Sequence, residues 1–243
     1  MGLKSLIIGT RAVLLIPLVT AFSGLLAILA SYFDPDAKFI YPRIGKRWAR
    51  VVLWLAAARV TIKGLENFPP PGQPCIIVMN HQSNLDIPLM VFSMPMAPRF
   101  IGKIELSRIP VFGGAAHRTG QIFIDRSDHE KALEGIRHAA RAVKEKGHSV
   151  IIAPEGTRSA DGRLRPFKKG AFVMAIEMGL PILPVVIEGT HRVLPKGSLW
   201  SRGGPVTVTI LQKVSTEGLS YDQRDALAGE VHRKMARVLG EAA

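Results

Sequence analysis

A single cysteine, Cys75, among 243 residues excludes an intrachain disulfide framework. There is no CxxC, and none of the seven histidines has a second one three or four residues away, so no metal site is expected. The chain also lacks internal repeats, low-complexity tracts and a G-x-S-x-G nucleophile elbow. Acidic residues are scarce, with 19 Asp and Glu against 32 Lys and Arg, giving a formal charge of +13. Such an excess suits an anionic surface, either lipid or nucleic acid. No helix-turn-helix, zinc-finger or RNA-binding aromatic motif accompanies it, and no nucleic-acid partner is expected.

Apolar residues, in contrast, are abundant at 47%, and the mean hydropathy is positive. The excess is concentrated at the N-terminus, where residues 12–33 carry no charge. As a helix this run measures about 33 Å, enough to cross a bilayer core, although Pro17 and Gly24 interrupt it. No clear A-x-A cleavage site directly follows it. A second apolar stretch, 51–58, lies between Arg50 and Arg59 and is too short to span. The two predict either a spanning segment or a helical hairpin set into one leaflet, turning near Asp34-Pro35-Asp36. Lys38, Arg43, Lys46, Arg47 and Arg50 lie between them, interleaved with Tyr32, Tyr41 and Trp48, a composition suited to membrane lipids at an anionic interface. If the first stretch spans, its heavier basic flank puts the main domain on the cytosolic side, as at a bacterial inner membrane. Residues 1–60 are thus expected to be a hydrophobic helical anchoring region, and 61–243 the main domain.

In that domain, strand and helix signals alternate. Strands are expected at 59–63, 75–79, 99–104, 121–124, 150–153, 182–187 and 206–211. Helices are expected from Ser127, with Glu130 completing a capping box, to a stop at Gly147, then over 168–178 and 221–239. A stretch containing Pro110 and Gly113-Gly114 reads as a connector, and 195–204 as a surface loop. The pattern predicts an α/β fold, a layered domain whose largely buried mixed sheet is flanked by helices.

Three segments carry polar groups at strand ends. In Asn80-His81-Gln82-Ser83-Asn84-Leu85-Asp86, a base and a carboxylate stand five residues apart between an apolar run and an apolar helix start. On an ideal helix they would point about 140° apart, so they meet only if the chain bends between them. A carboxylate on one imidazole nitrogen fixes the tautomer and leaves the other nitrogen free to take a proton. The plainer reading is that Ser83 and Asp86 form an S-x-x-D capping box and His81 is a turn histidine. The second segment, 120–126, ends in Asp125-Arg126, either an acid–base pair or a surface ion pair. The third, Ala153-Pro154-Glu155-Gly156-Thr157-Arg158, offers close backbone approach at glycine together with hydroxyl and guanidinium donors. The basic run Arg158, Arg163, Arg165, Lys168 and Lys169 makes an anion site there plausible, because a guanidinium fork binds two phosphate oxygens at once.

Taken together, NHQSNLD at 80–86, GQIFIDR at 120–126, PEGTR at 154–158 and Leu183-Pro184-Val185-Val186 resemble the 1-acyl-glycerol-3-phosphate acyltransferase family of the glycerolipid acyltransferases, in the family's order. The resemblance runs over 75–189, about half of the chain, and the hydrophobic N-terminus has a counterpart in the family. It implies acyl transfer from acyl-CoA or acyl carrier protein, as co-substrate and without a cofactor, to lysophosphatidic acid, giving phosphatidic acid. By the same resemblance His81 is the general base and Asp86 its orienting partner. Glu155, Gly156, Thr157 and Arg158 would bind the phosphate, aided by Arg126 and, at the end of the preceding strand, Lys103. Amides beside Ser83 are candidates for the thioester oxyanion. The chain departs from the family at Ala153, where phenylalanine is usual, and at Gly114, near which an aromatic is common. Alternatives are another acceptor (glycerol 3-phosphate, a lysophospholipid or a lyso-aminolipid), an acyl-enzyme on Ser83, and a non-catalytic basic binder.

Overall fold

A computed structural model describes residues 2–34, 36–125 and 147–241. The helix expected from Ser127 onward and the candidate Arg126 lie outside the described residues.

The N-terminus is a helical hairpin. Helix α1 (Leu3–Ala30) starts earlier than the uncharged run, taking in Lys4 and Arg11. Arg11 sits there because it caps α2 (Lys46–Leu55): it donates from Nε to the Leu55 carbonyl at 2.8 Å and from Nη2 to that of Trp54 at 2.7 Å. A cation suits the negative end of the helix dipole. At the other end of the hairpin, the Asp34 carboxylate accepts the amides of Lys38, Phe39 and Ile40 at 2.7–2.9 Å. A π-helical turn (Tyr41–Gly45) then leads into α2. In α1 the small residues Gly9, Ala12, Gly24 and Ala27 are buried, while Leu14, Leu18, Phe22 and Leu29 are exposed. At Gly9 the reason is close approach, since a Cβ there would enter the Trp200 ring. This helix is long and apolar enough to cross a membrane.

Among the described residues seven strands form one mixed sheet in the order β1-β7-β6-β2-β5-β3-β4. They are β1 (Ala58–Lys63), β2 (Ile76–Met79), β3 (Arg99–Lys103), β4 (Ile122–Ile124), β5 (Val150–Ile152), β6 (Ile182–Glu188) and β7 (Gly204–Ile210). The β6–β7 pairing is antiparallel and the others are parallel, so β6, β2, β5, β3 and β4 point the same way and share one carboxyl edge. Ligands of open α/β sheets bind at that edge. The apolar runs of β2, β5 and β6 follow from burial on both faces. One face packs on α5 (Gly170–Met178) and α7 (Arg224–Leu239), with Phe172 at its centre. The other packs on α2 and α3 (Asp86–Ser93), with Leu89 and Met90 buried. Because Val52, Leu53 and Ala56 of α2 belong to this second cluster, the hairpin shares the sheet's core, and the boundary expected at residue 60 falls inside β1.

One segment differs from expectation, and a second differs in part. The connector is a helix, α4 (Phe112–Arg118), in which Gly113 lies against the Ser107 backbone and the chain packs on α1. Glycines suppress the helical signal, and contact with α1 supplies what local preference lacks. The expected surface loop over 195–204 is on the surface at Lys196, Gly197, Leu199 and Arg202 but anchored at its end: Ser201 is fully buried and its hydroxyl donates to the Ala56 carbonyl at 2.7 Å, while Trp200 lies on Gly9. The C-terminal helix keeps its position but starts as a short 3-10 turn (Tyr221–Gln223) under a Ser220–Gln223 capping box.

Candidate active site

The polar turn after β2 is pinned from three sides. Asn80 continues the sheet with its side chain, donating to the Ile187 carbonyl at 2.8 Å and accepting the Ile187 amide at 2.7 Å. The His81 amide donates to Glu155 Oε1 at 2.8 Å, and its carbonyl accepts the Ser159 amide at 2.7 Å. The chain then bends, bringing Asp86 at the start of α3 back to His81, with 2.6 Å between Asp86 Oδ2 and His81 Nδ1. Asp86 is fully buried and the His81 side chain is 22% exposed. Among the described residues Nε2 of His81 has no protein partner, so the pair leaves one imidazole nitrogen open, as a general base requires.

The capping reading also holds in part. Asp86 Oδ2 accepts the amides of Gln82 at 2.7 Å and Ser83 at 2.9 Å, whereas the Ser83 hydroxyl accepts the Leu85 amide at 3.2 Å. That hydroxyl donates to the Leu194 carbonyl at 2.6 Å and is fully buried, so Ser83 is not placed as an acyl acceptor. Because Asp86 takes the amides of Gln82 and Ser83, these are not free to hold an oxyanion either. The other oxygen of Asp86 accepts the Thr190 hydroxyl at 2.6 Å.

Glu155, expected in the phosphate loop, faces inward instead. It is 5% exposed, and its oxygens accept the amides of His81 and, at 3.2 Å, Arg165. Burial pushes its carboxyl up to about 7, with the nearby Asp86 charge adding to the rise and the two amides opposing it. A buried carboxylate is no ligand for a phosphate; its position makes it the brace between β5 and the His81 turn. The next residues do form a cationic rim. Gly156 (φ +72°) lies under Lys168, where a Cβ would come within 2.9 Å of Cε. Arg158 donates to Asn84 Oδ1 at 2.8 Å, which ties the loop to the His81 turn. Lys196 Nζ lies 3.3 Å from Thr157 Oγ1 and 3.0 Å from the Arg158 carbonyl. Lys196 comes from the 195–203 loop and had no sequence signal; Lys168 was one of a basic run whose neighbours Arg165 and Lys169 pair with Asp161 and Asp225. Lys103 pairs with Glu105 at 2.6 Å and stands two strands from β2, roughly 10 Å across the sheet.

An apolar cavity of about 180 Å³ lies between the hairpin, α3, α4 and the outer strands, lined in part by Gly24, Ala27, Ile40, Trp48, Val91 and Phe100. Ile87, the residue after Asp86, also lines it. Gly114 does not; a Cβ there would make only ordinary van der Waals contact, 3.5 Å from Ile28 of α1, so the structure shows neither a widened channel nor a packing need for glycine at this position. Ala153 packs with the second core cluster, also away from the cavity lining.

The mixed α/β sheet thus carries a histidine–carboxylate pair and a cationic loop at its carboxyl edge. Residues 59–188, more than half of the chain, match the family model described as Acyltransferase, and the chain belongs to that family. It is 37% identical over 193 residues to the chloroplastic 1-acyl-sn-glycerol-3-phosphate acyltransferase BAT2 of Brassica napus, covering 79% of this chain and 54% of that protein. To the 1-acyl-sn-glycerol-3-phosphate acyltransferase alpha of Homo sapiens it is 35% identical over 190 residues, covering 78% and 67%. The chain spans little more than half the length of the first curated relatives it matches. The crystal structure of the 1-acyl-sn-glycerophosphate (LPA) acyltransferase, PlsC, from Thermotoga maritima superposes with a TM-score of 0.81 at 27% identity, covering 99% of this chain and 98% of that one.

The raised Glu155 carboxyl has a measurable sign. Between its ordinary 4.5 and about 7, the folded protein holds a proton that the unfolded chain has released, so this group's contribution to stability falls as pH rises through that window. Glu155→Gln is expected to flatten that slope in denaturant unfolding at stepped pH. An unchanged slope contradicts the assignment.

Proposed function

We propose that the protein transfers a fatty acyl group from a thioester, acyl-CoA or acyl carrier protein, to the sn-2 hydroxyl of 1-acyl-sn-glycerol 3-phosphate, forming phosphatidic acid and a free thiol. The observation that carries this is the open Nε2 of His81, its Nδ1 held by buried Asp86, beside a rim of cations. Nε2 takes the hydroxyl proton as the oxygen attacks the thioester carbonyl. The tetrahedral intermediate then collapses, the carbon–sulfur bond breaks, and the proton passes from the imidazolium to the departing thiolate. Asp86 stabilises the imidazolium without accepting its proton. The activity named for the relatives, 1-acyl-sn-glycerol-3-phosphate acyltransferase, supports the acceptor and the product.

In this reading the phosphate lies over Gly156 and Thr157, where Arg158, Lys168 and Lys196 supply three positive charges and glycine lets the backbone approach. Lys103 on β3 is a further candidate, and Arg126, outside the described residues, remains a candidate by the resemblance alone. The apolar cavity beside Ile87 suits an acyl chain. The exposed apolar face of α1 meets lipid, because a contiguous patch of this kind on a water-soluble surface is disfavoured, and the basic residues around the hairpin turn favour the cytosolic leaflet.

His81→Ala is expected to lower kcat by about 10²- to 10⁴-fold, with the protein still folded but its melting temperature lowered by the loss of a partner for buried Asp86. Full activity in that variant refutes the mechanism. Arg158→Ala is expected to raise KM for the lysophosphatidic acid roughly ten-fold or more, as for a lost charge-assisted contact, and to leave KM for the donor nearly constant; equal effects on both place the phosphate elsewhere. Leu18→Asp with Phe22→Asp is expected to weaken retention on anionic liposomes while leaving the detergent-solubilised enzyme active. Undiminished retention contradicts the membrane face.

A further inference from the structure

Thr190 lies two residues beyond the segment matched to the family and is part of no motif singled out in the sequence. It opens α6 (Thr190–Val193), the single turn after β6, and is fully buried. Gly189 before it adopts φ +87°, and a Cβ there would lie within van der Waals overlap of the Pro205 carbonyl oxygen, so the chain turns sharply at this point. That turn places the Thr190 hydroxyl 2.6 Å from Asp86 Oδ1.

The donors around Asp86 are divided unequally. Oδ2 receives the His81 imidazole and the amides of Gln82 and Ser83, all from its own turn. Oδ1 receives Thr190, from a different strand end 104 residues away. Contacts on Oδ2 alone leave the carboxylate free to swing about its last torsion, and a second anchor from outside the turn fixes its plane. The hydroxyl has one proton to give. Its possible acceptors are Asp86 at 2.6 Å and Gln82 Oε1 at 3.4 Å, and the short bond to an ionised oxygen is the stronger. Gln82 Oε1 has another donor within reach, Nδ1 of His191 at 3.0 Å, so nothing draws the Thr190 proton away from Asp86.

We propose that Thr190 is a positioning residue of the catalytic pair, its hydroxyl holding the Asp86 carboxylate in the plane that keeps Oδ2 on His81. This rests on the reading of His81 as the base. Removing the hydroxyl leaves a buried oxygen without its donor, which disfavours the bare carboxylate relative to the state in which the pair carries a proton. The protonated pair cannot act as a base, so the acidic limb of the kcat profile moves to higher pH. The titratable groups facing Asp86 are His81 on its own turn, Glu155 after β5 and His191 after β6.

The test uses the full chain in detergent or lipid, with Thr190→Val, Thr190→Ser and His81→Ala measured beside the parent for kcat, both KM values and the pH profile. Thr190→Val is expected to lower kcat about ten- to hundred-fold with both KM values nearly constant, and to shift the acidic limb upward. Thr190→Ser, which keeps the hydroxyl, restores most of kcat and the original limb. A Thr190→Val enzyme within about two-fold of the parent, or a Thr190→Ser enzyme as slow as Thr190→Val, overturns the proposal. Should valine prevent folding, Thr190→Ala, smaller in every direction, carries the same expectations. Full activity in His81→Ala removes the base reading itself, whereas an inactive His81→Ala with a normal Thr190→Val removes only the role of Thr190.

Discussion

A carboxylate taken fully out of water is costly unless donors meet its oxygens. Asp86 is such a carboxylate, and the donors it collects come from a histidine ring, two backbone amides of the bend and a threonine at another strand end. Satisfying it therefore folds the polar turn back on itself. The same bonds that remove the cost of burial also hold the imidazole in one tautomer with its far nitrogen open. Stability of the turn and, in the proposed mechanism, readiness of the base are one arrangement, and mutation at His81 or Asp86 would disturb both.

Around this turn, three parallel strands bring their carboxyl ends to one edge, and each sends a different kind of group. After β2 comes the histidine. After β5 comes Glu155, buried and held toward neutrality, which grips the histidine's own amide, followed at once by Gly156, Thr157 and Arg158 facing outward. After β6 comes Thr190, and the chain beyond it runs through Lys196 beside Thr157 and Arg158 to Trp200 under α1. One segment thus touches Asp86, the cationic rim and the N-terminal hairpin, joining the polar turn to the apolar helix.

Much of this was legible in the chain, and the reasons are physical. Strands β2, β5 and β6 are buried on both faces, so they read as short apolar runs. His81 and Asp86 are legible because polar residues at an apolar strand end need a function or a cap, and the structure brings the two side chains together. The inward placement of Glu155 is not legible because its partner is the His81 backbone amide beyond another strand, and a sequence shows side chains, not which amides lack acceptors. Lys196 and Thr190 gave no signal, since each acts through a contact spanning 38 residues or more. Helix α4 was hidden by its glycines, of which Gly113 serves close packing against the Ser107 backbone.

The central claim is the reaction itself, and one assay addresses it: the purified chain in lipid, given acyl-CoA or acyl-carrier protein and a panel of acceptors, with products identified by mass. The account predicts phosphatidic acid from 1-acyl-sn-glycerol 3-phosphate, with one thiol released per acyl group transferred, and little product from the same lipid without its phosphate. Acylation of glycerol 3-phosphate or of a phosphate-free lysolipid in preference to lysophosphatidic acid would contradict it.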